Sequence, residues 1–144
     1  MFNDLSGLLV FLMAVNSGTL VLVWVVQWMI YPSFRYFSKR ELVEWHSYYA
    51  PRMGRIAAPL MFMQLFGYSF LLVEYFTLWN TLKCILVLIT WGVTMGIFVP
   101  LHAKIASTHF GDSDLDRLVR LNFIRALAWT FLFLLELYTV IRYA

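Results

Sequence analysis

The chain has 144 residues, 62% hydrophobic and only 13% charged, with a mean hydropathy of +0.74. A soluble domain is roughly half apolar and about a quarter charged, so the composition excludes an ordinary soluble domain and points to a bilayer. The net charge of +3 does not form a nucleic-acid stripe, because the bases gather beside the apolar runs, and the single cysteine, Cys84, excludes an intramolecular disulfide and any C-x-x-C metal site.

Met1-Phe2-Asn3-Asp4 carries no basic n-region. The apolar run that follows is too long for a signal h-region of about 7–15 residues, so it is read as a retained span. Leu5 to Phe34 contains no charged residue. About 20 such residues cross a hydrocarbon core of roughly 30 Å, which places the first span at about 8–31, ended by Pro32. Ser38-Lys39-Arg40-Glu41 fits the S-x-x-E capping box, in which the serine hydroxyl accepts from an early helix N–H and the glutamate reaches back. The second helix is therefore expected to begin at Ser38, well before its uncharged run from Ile56 to Val73. A helix from Ser38 to Phe76 would be about 60 Å long, about twice the hydrocarbon thickness. Residues 38–55 are expected to protrude as a helical extension, or to lie on the surface with a bend near Pro51, leaving 56–76 as the second span.

The third span is placed at about 83–101, uncharged from Cys84 to Leu101. Pro100 cannot donate, and its ring clashes with the carbonyl of Gly96, which predicts a kink one turn below His102. Gly92 and Gly96 form a G-x-x-x-G pair that lets another helix approach closely, from inside the bundle or from a second copy. Gly111-Asp112 marks a turn, and the acids of Ser113-Asp114-Leu115-Asp116 suit a helix start. The fourth span, about 121–141, is interrupted by Arg125 and Glu136.

Backbone polar groups in lipid need internal partners, and no strand alternation supports a barrel. The expected fold is an all-α membrane protein: four transmembrane helices in an up-down antiparallel bundle, one domain over 1–144. The connection after span one holds Arg35, Lys39, Arg40, Arg52 and Arg55, and the connection before span four holds Lys104, Arg117, Arg120 and Arg125. The other side has only Lys83 and Arg142. Nine against two puts both basic connections in the cytoplasm and both termini outside, as in a bacterial inner-membrane protein.

Ionisable groups inside spans mark functional sites by default. Gln27, His46, Arg55, His102, Asn122 and Arg125 all fall near the cytoplasmic boundary, on four helices. One reading is a polar pocket for a small molecule or cofactor, with oxidoreductase-like chemistry. The other is snorkelling bases and interhelical hydrogen bonds in a non-enzymatic accessory or scaffold subunit. Glu136 is the one acid well inside the bilayer, toward the outer side. It is read as a proton carrier or as a partner of Asn16, Thr90 or another helix.

His102 and His109 on one helix would stand about 10.5 Å apart, too far to chelate one ion at about 2 Å. No H-x-x-x-H or E-x-x-H occurs, so no metal site is expected. A heme needs only one or two axial ligands; His46 and His102 could supply them, with Arg55 and Arg125 for the propionates. There is no nucleophilic triad, phosphate loop or nucleic-acid motif. The expected partners are membrane lipids and a second copy or membrane-complex subunit, with no nucleic acid.

VPLHAKIA (Val99 to Ala106) and LNFIRALAW (Leu121 to Trp129) resemble the small four-helix membrane proteins grouped as anthrone-oxygenase-like. Those show a V-P-polar segment at the end of the third span and an Asn or His three residues before an Arg at the start of the fourth. The matching positions are Pro100, His102, Asn122, Arg125 and Trp129, and Tyr31-Pro32 fits the pattern after span one. His102 stands where that family often has asparagine. The resemblance adds Trp129 to the pocket and implies oxygenation of polycyclic substrates, as in a few members. LHAK (Leu101 to Lys104) also resembles the short, membrane-bound type of protoporphyrinogen oxidase.

Overall fold

A computed structural model describes residues 2–143, and every described segment of regular structure is helical. Four long rods, Leu5–Tyr36, Lys39–Glu74, Leu78–Ala106 and Asp112–Arg142, are long and apolar enough to cross a membrane.

The first rod starts as α1 (Phe2–Val25), widens into a π turn at Val26–Ile30, and resumes as α2 (Tyr31–Ser33). The second rod is the single helix α3 (Lys39–Glu74). Its capping box forms as expected: Ser38 Oγ accepts from the Glu41 N–H at 3.4 Å, and Glu41 Oε2 accepts from the Ser38 N–H at 2.9 Å. Hydrogen bonding from the Ser38 side chain and from its backbone N–H holds the exposed Glu41 carboxyl, which precedes the apolar run, below the usual carboxylate range. The helix runs without interruption for 36 residues, with Pro51 and Pro59 inside it. Residues 39–55 are thus a continuous extension of the second rod rather than a separate surface segment.

The third rod is α4 (Leu78–Val93), a π turn at Thr94–Phe98, and α5 (Val99–Ala106). The distortion expected at Pro100 takes the form of this wider turn, which accommodates the missing donor. The same device precedes Pro32, where the sequence suggested only the end of a span. The fourth rod, α6 (Asp112–Tyr143), is preceded by Gly111, whose N–H donates to Asp114 Oδ2 at 3.2 Å. Lys104 donates to Asp114 Oδ1 at 3.1 Å and ties α5 to α6 across their turn.

The rods pack around two apolar clusters. One contains Leu12, Tyr68, Leu71, Val87, Ala126 and Leu132; the other contains Phe34, Leu42, Phe98, Leu101, Ile105 and Leu118. Close approach of α1 and α3 occurs at Gly67, where an added Cβ would meet Leu12 Cδ2 at 2.5 Å. At Gly92 and Gly96 an added Cβ would meet nothing within 4 Å, so this pair seats no helix of the same chain.

A ladder of buried polar groups crosses the first cluster and touches all four rods. Trp129 Nε1 donates to Gln64 Oε1 at 3.2 Å, Gln64 Nε2 to Asn16 Oδ1 at 2.8 Å, and Asn16 Nδ2 to Tyr68 OH at 2.5 Å. Tyr68 donates to Glu136 Oε2 at 3.1 Å. Lys83 Nζ donates to the same oxygen at 2.8 Å and to Thr139 Oγ1 at 3.1 Å. Lys83 and Glu136 are both fully buried. Lys83 is therefore a core ion-pair residue, not the outer-edge base that its place in the sequence suggested. Glu136 reaches Asn16 only through Tyr68, and the Thr90 hydroxyl donates instead to the Val87 carbonyl.

Removing one member of a buried pair strands the other, at a cost of about 3–5 kcal/mol. Lys83→Met or Glu136→Leu alone should therefore lower the thermal unfolding temperature in detergent, and the double variant should recover most of the loss. Additive losses would contradict the pairing.

Candidate functional site

Each of the two π turns is followed within a few residues by a polar side chain that turns inward. Tyr31 follows the first and His102 the second, with the tyrosine hydroxyl 3.0 Å from His102 Nε2. The extension of α3 brings in His46, whose Nε2 lies 2.8 Å from His102 Nδ1. Tyr31 and His46 are each only 3% exposed. Both nitrogens of His102 are thus engaged. A neutral imidazole has one donor and one acceptor nitrogen, so the chain Tyr31–His102–His46 has two self-consistent proton arrangements, one running each way. Either arrangement leaves His102 able to hold or pass a proton.

A second set of bonds fixes Arg125. Asn122 Nδ2 donates to Gln27 Oε1 at 2.9 Å, and Asn122 Oδ1 accepts from Arg125 Nη2 at 2.7 Å. Arg125 Nη1 reaches Thr94 Oγ1 at 3.4 Å, from within the second π turn. The guanidinium lies 3.8 Å above the Phe98 ring and 5.2 Å from that of Trp129. Asn122 is fully buried, and its two-sided bonding locks both the amide and the arginine.

These groups border a cavity of about 290 Å³. Tyr31, Thr94, His102, Arg125 and Trp129 give it a polar end, while most of the remaining lining is apolar, including Val23, Val26, Met53, Met61 and Phe98. The charge balance at the polar end is unusual. Among the described residues, the ion pairs are Arg35–Asp116, Lys83–Glu136 and Lys104–Asp114, and none involves Arg125. Arg125 Nε is buried without a hydrogen-bond partner. Arg125 is half-buried, and a partly desolvated cation without a counter-ion is costly, so its guanidinium puts a positive charge at the polar end of the cavity.

Of the residues expected from the sequence, His102, Arg125 and Trp129 line the cavity. His46, Asn122 and Gln27 are bonded to that lining or to one another behind it. Arg55 is exposed and does not line the cavity, whereas Gly54 and Ala57 of the same turn do. Glu136 belongs to the Lys83 pair. Tyr31, Tyr49 and Thr94 were not singled out for the pocket in the sequence, yet all three line it. The usable signal was Tyr31-Pro32, which mirrors the proline placement before His102.

The heme arrangement would need both imidazoles to face one iron. Here they are hydrogen-bonded to each other, with ring centroids 5.0 Å apart, leaving no space for a porphyrin between them. No group of three or more His, Cys, Asp or Glu among the described residues could hold a metal ion. No protein-family model, curated protein or solved structure matches the chain.

Loss of the Asn122 amide strands both Gln27 and Arg125, at about 1–3 kcal/mol per unsatisfied group. Asn122→Leu should lower the unfolding temperature clearly, whereas exposed Arg55→Ala should stay within about 0.5 kcal/mol of the unaltered protein. Equal stability of the two variants in detergent would contradict this assignment.

Proposed function

We propose that this is a four-span integral membrane protein, up-down in topology, whose cavity binds a small molecule bearing an anionic or strongly accepting oxygen. The observation that carries this reading is Arg125, a half-buried guanidinium with no carboxylate partner among the described residues, at the polar end of an otherwise apolar cavity. The pairing pattern supports the topology. Gln27, late in the first rod, meets Asn122, early in the last, while Asn16 is linked through Tyr68 to Glu136, late in the last. Taking buried Lys83 and cavity-bound Arg125 out of the nine-to-two count leaves eight bases against one. That asymmetry favours a cytoplasmic position for the basic connections and the cavity, with both termini outside, as in a bacterial inner membrane.

The resemblance to anthrone-oxygenase-like proteins adds an oxidoreductase-like role. In that role Arg125 would hold an oxyanion of the substrate, and His102, backed by His46 and Tyr31, would take or return its proton. Both groups border one cavity, which is the geometry such a role requires.

A second reading, an accessory subunit of a membrane complex, draws on Gly92 and Gly96. They are exposed, with open space where a side chain would stand, so they are free to seat another chain.

Small molecules extracted from the purified protein and identified by mass spectrometry test both readings. Arg125→Gln keeps a donor toward Asn122 and removes the charge. It should deplete a bound anionic molecule at least tenfold, while Arg55→Ala leaves it in place. Equal content in Arg125→Gln and the unaltered protein would overturn the pocket reading. Loss of a dimer or complex on changing Gly92 and Gly96 to Leu, with no anionic molecule ever bound, would favour the accessory role.

A further inference from the structure

The lining of the cavity is not evenly buried. Val23, Val26, Tyr31, Phe98 and Trp129 are at most 5% exposed and form its floor. Gly54, on α3, and Val99, at the start of α5 and 51% exposed, stand open at the protein surface. The mouth therefore lies on the flank of the bundle, between the second and third rods. Val99 belongs to the uncharged run from Cys84 to Leu101, while Gly54 lies just before the second span between exposed Arg52 and Arg55, so the mouth opens at the rim of the apolar belt, at headgroup level.

The residues between mouth and floor repeat this pattern. Ala50, Gly54, Ala57 and Met61 follow one another at helical spacing along the cavity side of α3, and none carries a polar side chain. A Cβ at Gly54 would meet nothing within 4 Å, so packing does not require glycine there. Its absent side chain leaves the passage clear. Arg52 and Arg55 are exposed on the same stretch of helix, beside the mouth. A molecule passing inward thus meets basic side chains, then apolar wall, then the uncompensated Arg125.

We propose that the cavity is loaded sideways from the bilayer by a single-tailed anionic amphiphile, whose acidic head reaches Arg125 and whose tail leaves between Gly54 and Val99. This rests on the reading that Arg125 binds an anion. At this rim the basic side chains suit an acidic head and the apolar wall suits a tail, and a freely water-soluble anion would gain nothing from that wall. The volume also selects: about 290 Å³ lies at the small end of ligand pockets, which span about 300–1,000 Å³, and suits one chain rather than a two-chain phospholipid.

The test uses the full chain in lipid nanodiscs, with diazirine-bearing palmitic acid dissolved in the bilayer as the probe. After irradiation, adducts are mapped by peptide mass spectrometry. Adducts that unlabelled palmitate competes away are expected on the 53–61 segment and at Val99, while labelling of the exposed Phe62, Phe66 and Phe70 should resist competition. Gly54→Leu should cut the competed adducts at least tenfold without shifting the unfolding temperature, and Gly54→Ala should cut them less. Arg125→Gln should cut them as well. Loss in Arg125→Gln but not in Gly54→Leu, in a folded protein, would overturn flank loading and leave the anion site standing. Competition by water-soluble butyrate as strong as by palmitate would overturn the amphiphile. Competed adducts unaffected by either variant, or no competed adducts at all, would overturn the site and its loading route together.

Discussion

A charge buried inside a membrane bundle must find its counter-charge within the protein or bring one in. This chain solves the problem in two ways. Lys83 meets Glu136, backed by Tyr68 and Thr139, and the two charges neutralise each other deep in the bundle, although Glu136 Oε1 is left without a hydrogen-bond partner. Arg125 is held by Asn122 and Thr94 and covered by aromatic rings, yet faces no carboxylate among the described residues. The first arrangement ties the helices together. The second leaves an electrostatic deficit beside a cavity, and the deficit gives the cavity its chemistry.

The two regions are physically continuous. Trp129 lines the cavity and also donates to Gln64, the first step of the ladder that ends at Lys83 and Glu136. Amide and indole groups make up the middle of that ladder. They hold position well but do not relay protons as imidazoles and hydroxyls do. The cluster around His102 and the cluster around Glu136 are therefore linked mechanically, while the proton chemistry available to the cavity stays with Tyr31, His102 and His46.

The four long helices were legible in the sequence because a bilayer imposes a length and a composition that survive without any tertiary knowledge. The helix start at Ser38 was legible because a capping box is local, and the distortion near Pro100 because a missing N–H is local too. What could not be read was rotation. Lys83 at the edge of an apolar run looks the same whether it faces headgroups or a carboxylate on the next rod. Arg55 and Arg125 look alike as boundary bases, but one points to the surface and the other into a cavity. The bond between His46 and His102 depends on how two helices separated by 56 positions are turned toward each other. Gly92 and Gly96 show the same limit, since a G-x-x-x-G pair does not say which side its neighbour occupies.

The unmatched charge of Arg125 is tested most directly by an experimental structure of the protein in a lipid nanodisc, at a resolution that shows bound small molecules. Density for a ligand head group within hydrogen-bond distance of the Arg125 guanidinium, with its body running past Met53 toward Gly54, is the expected result. Arg125 paired to a carboxylate of its own chain, or His102 turned out into the acyl chains, would contradict it.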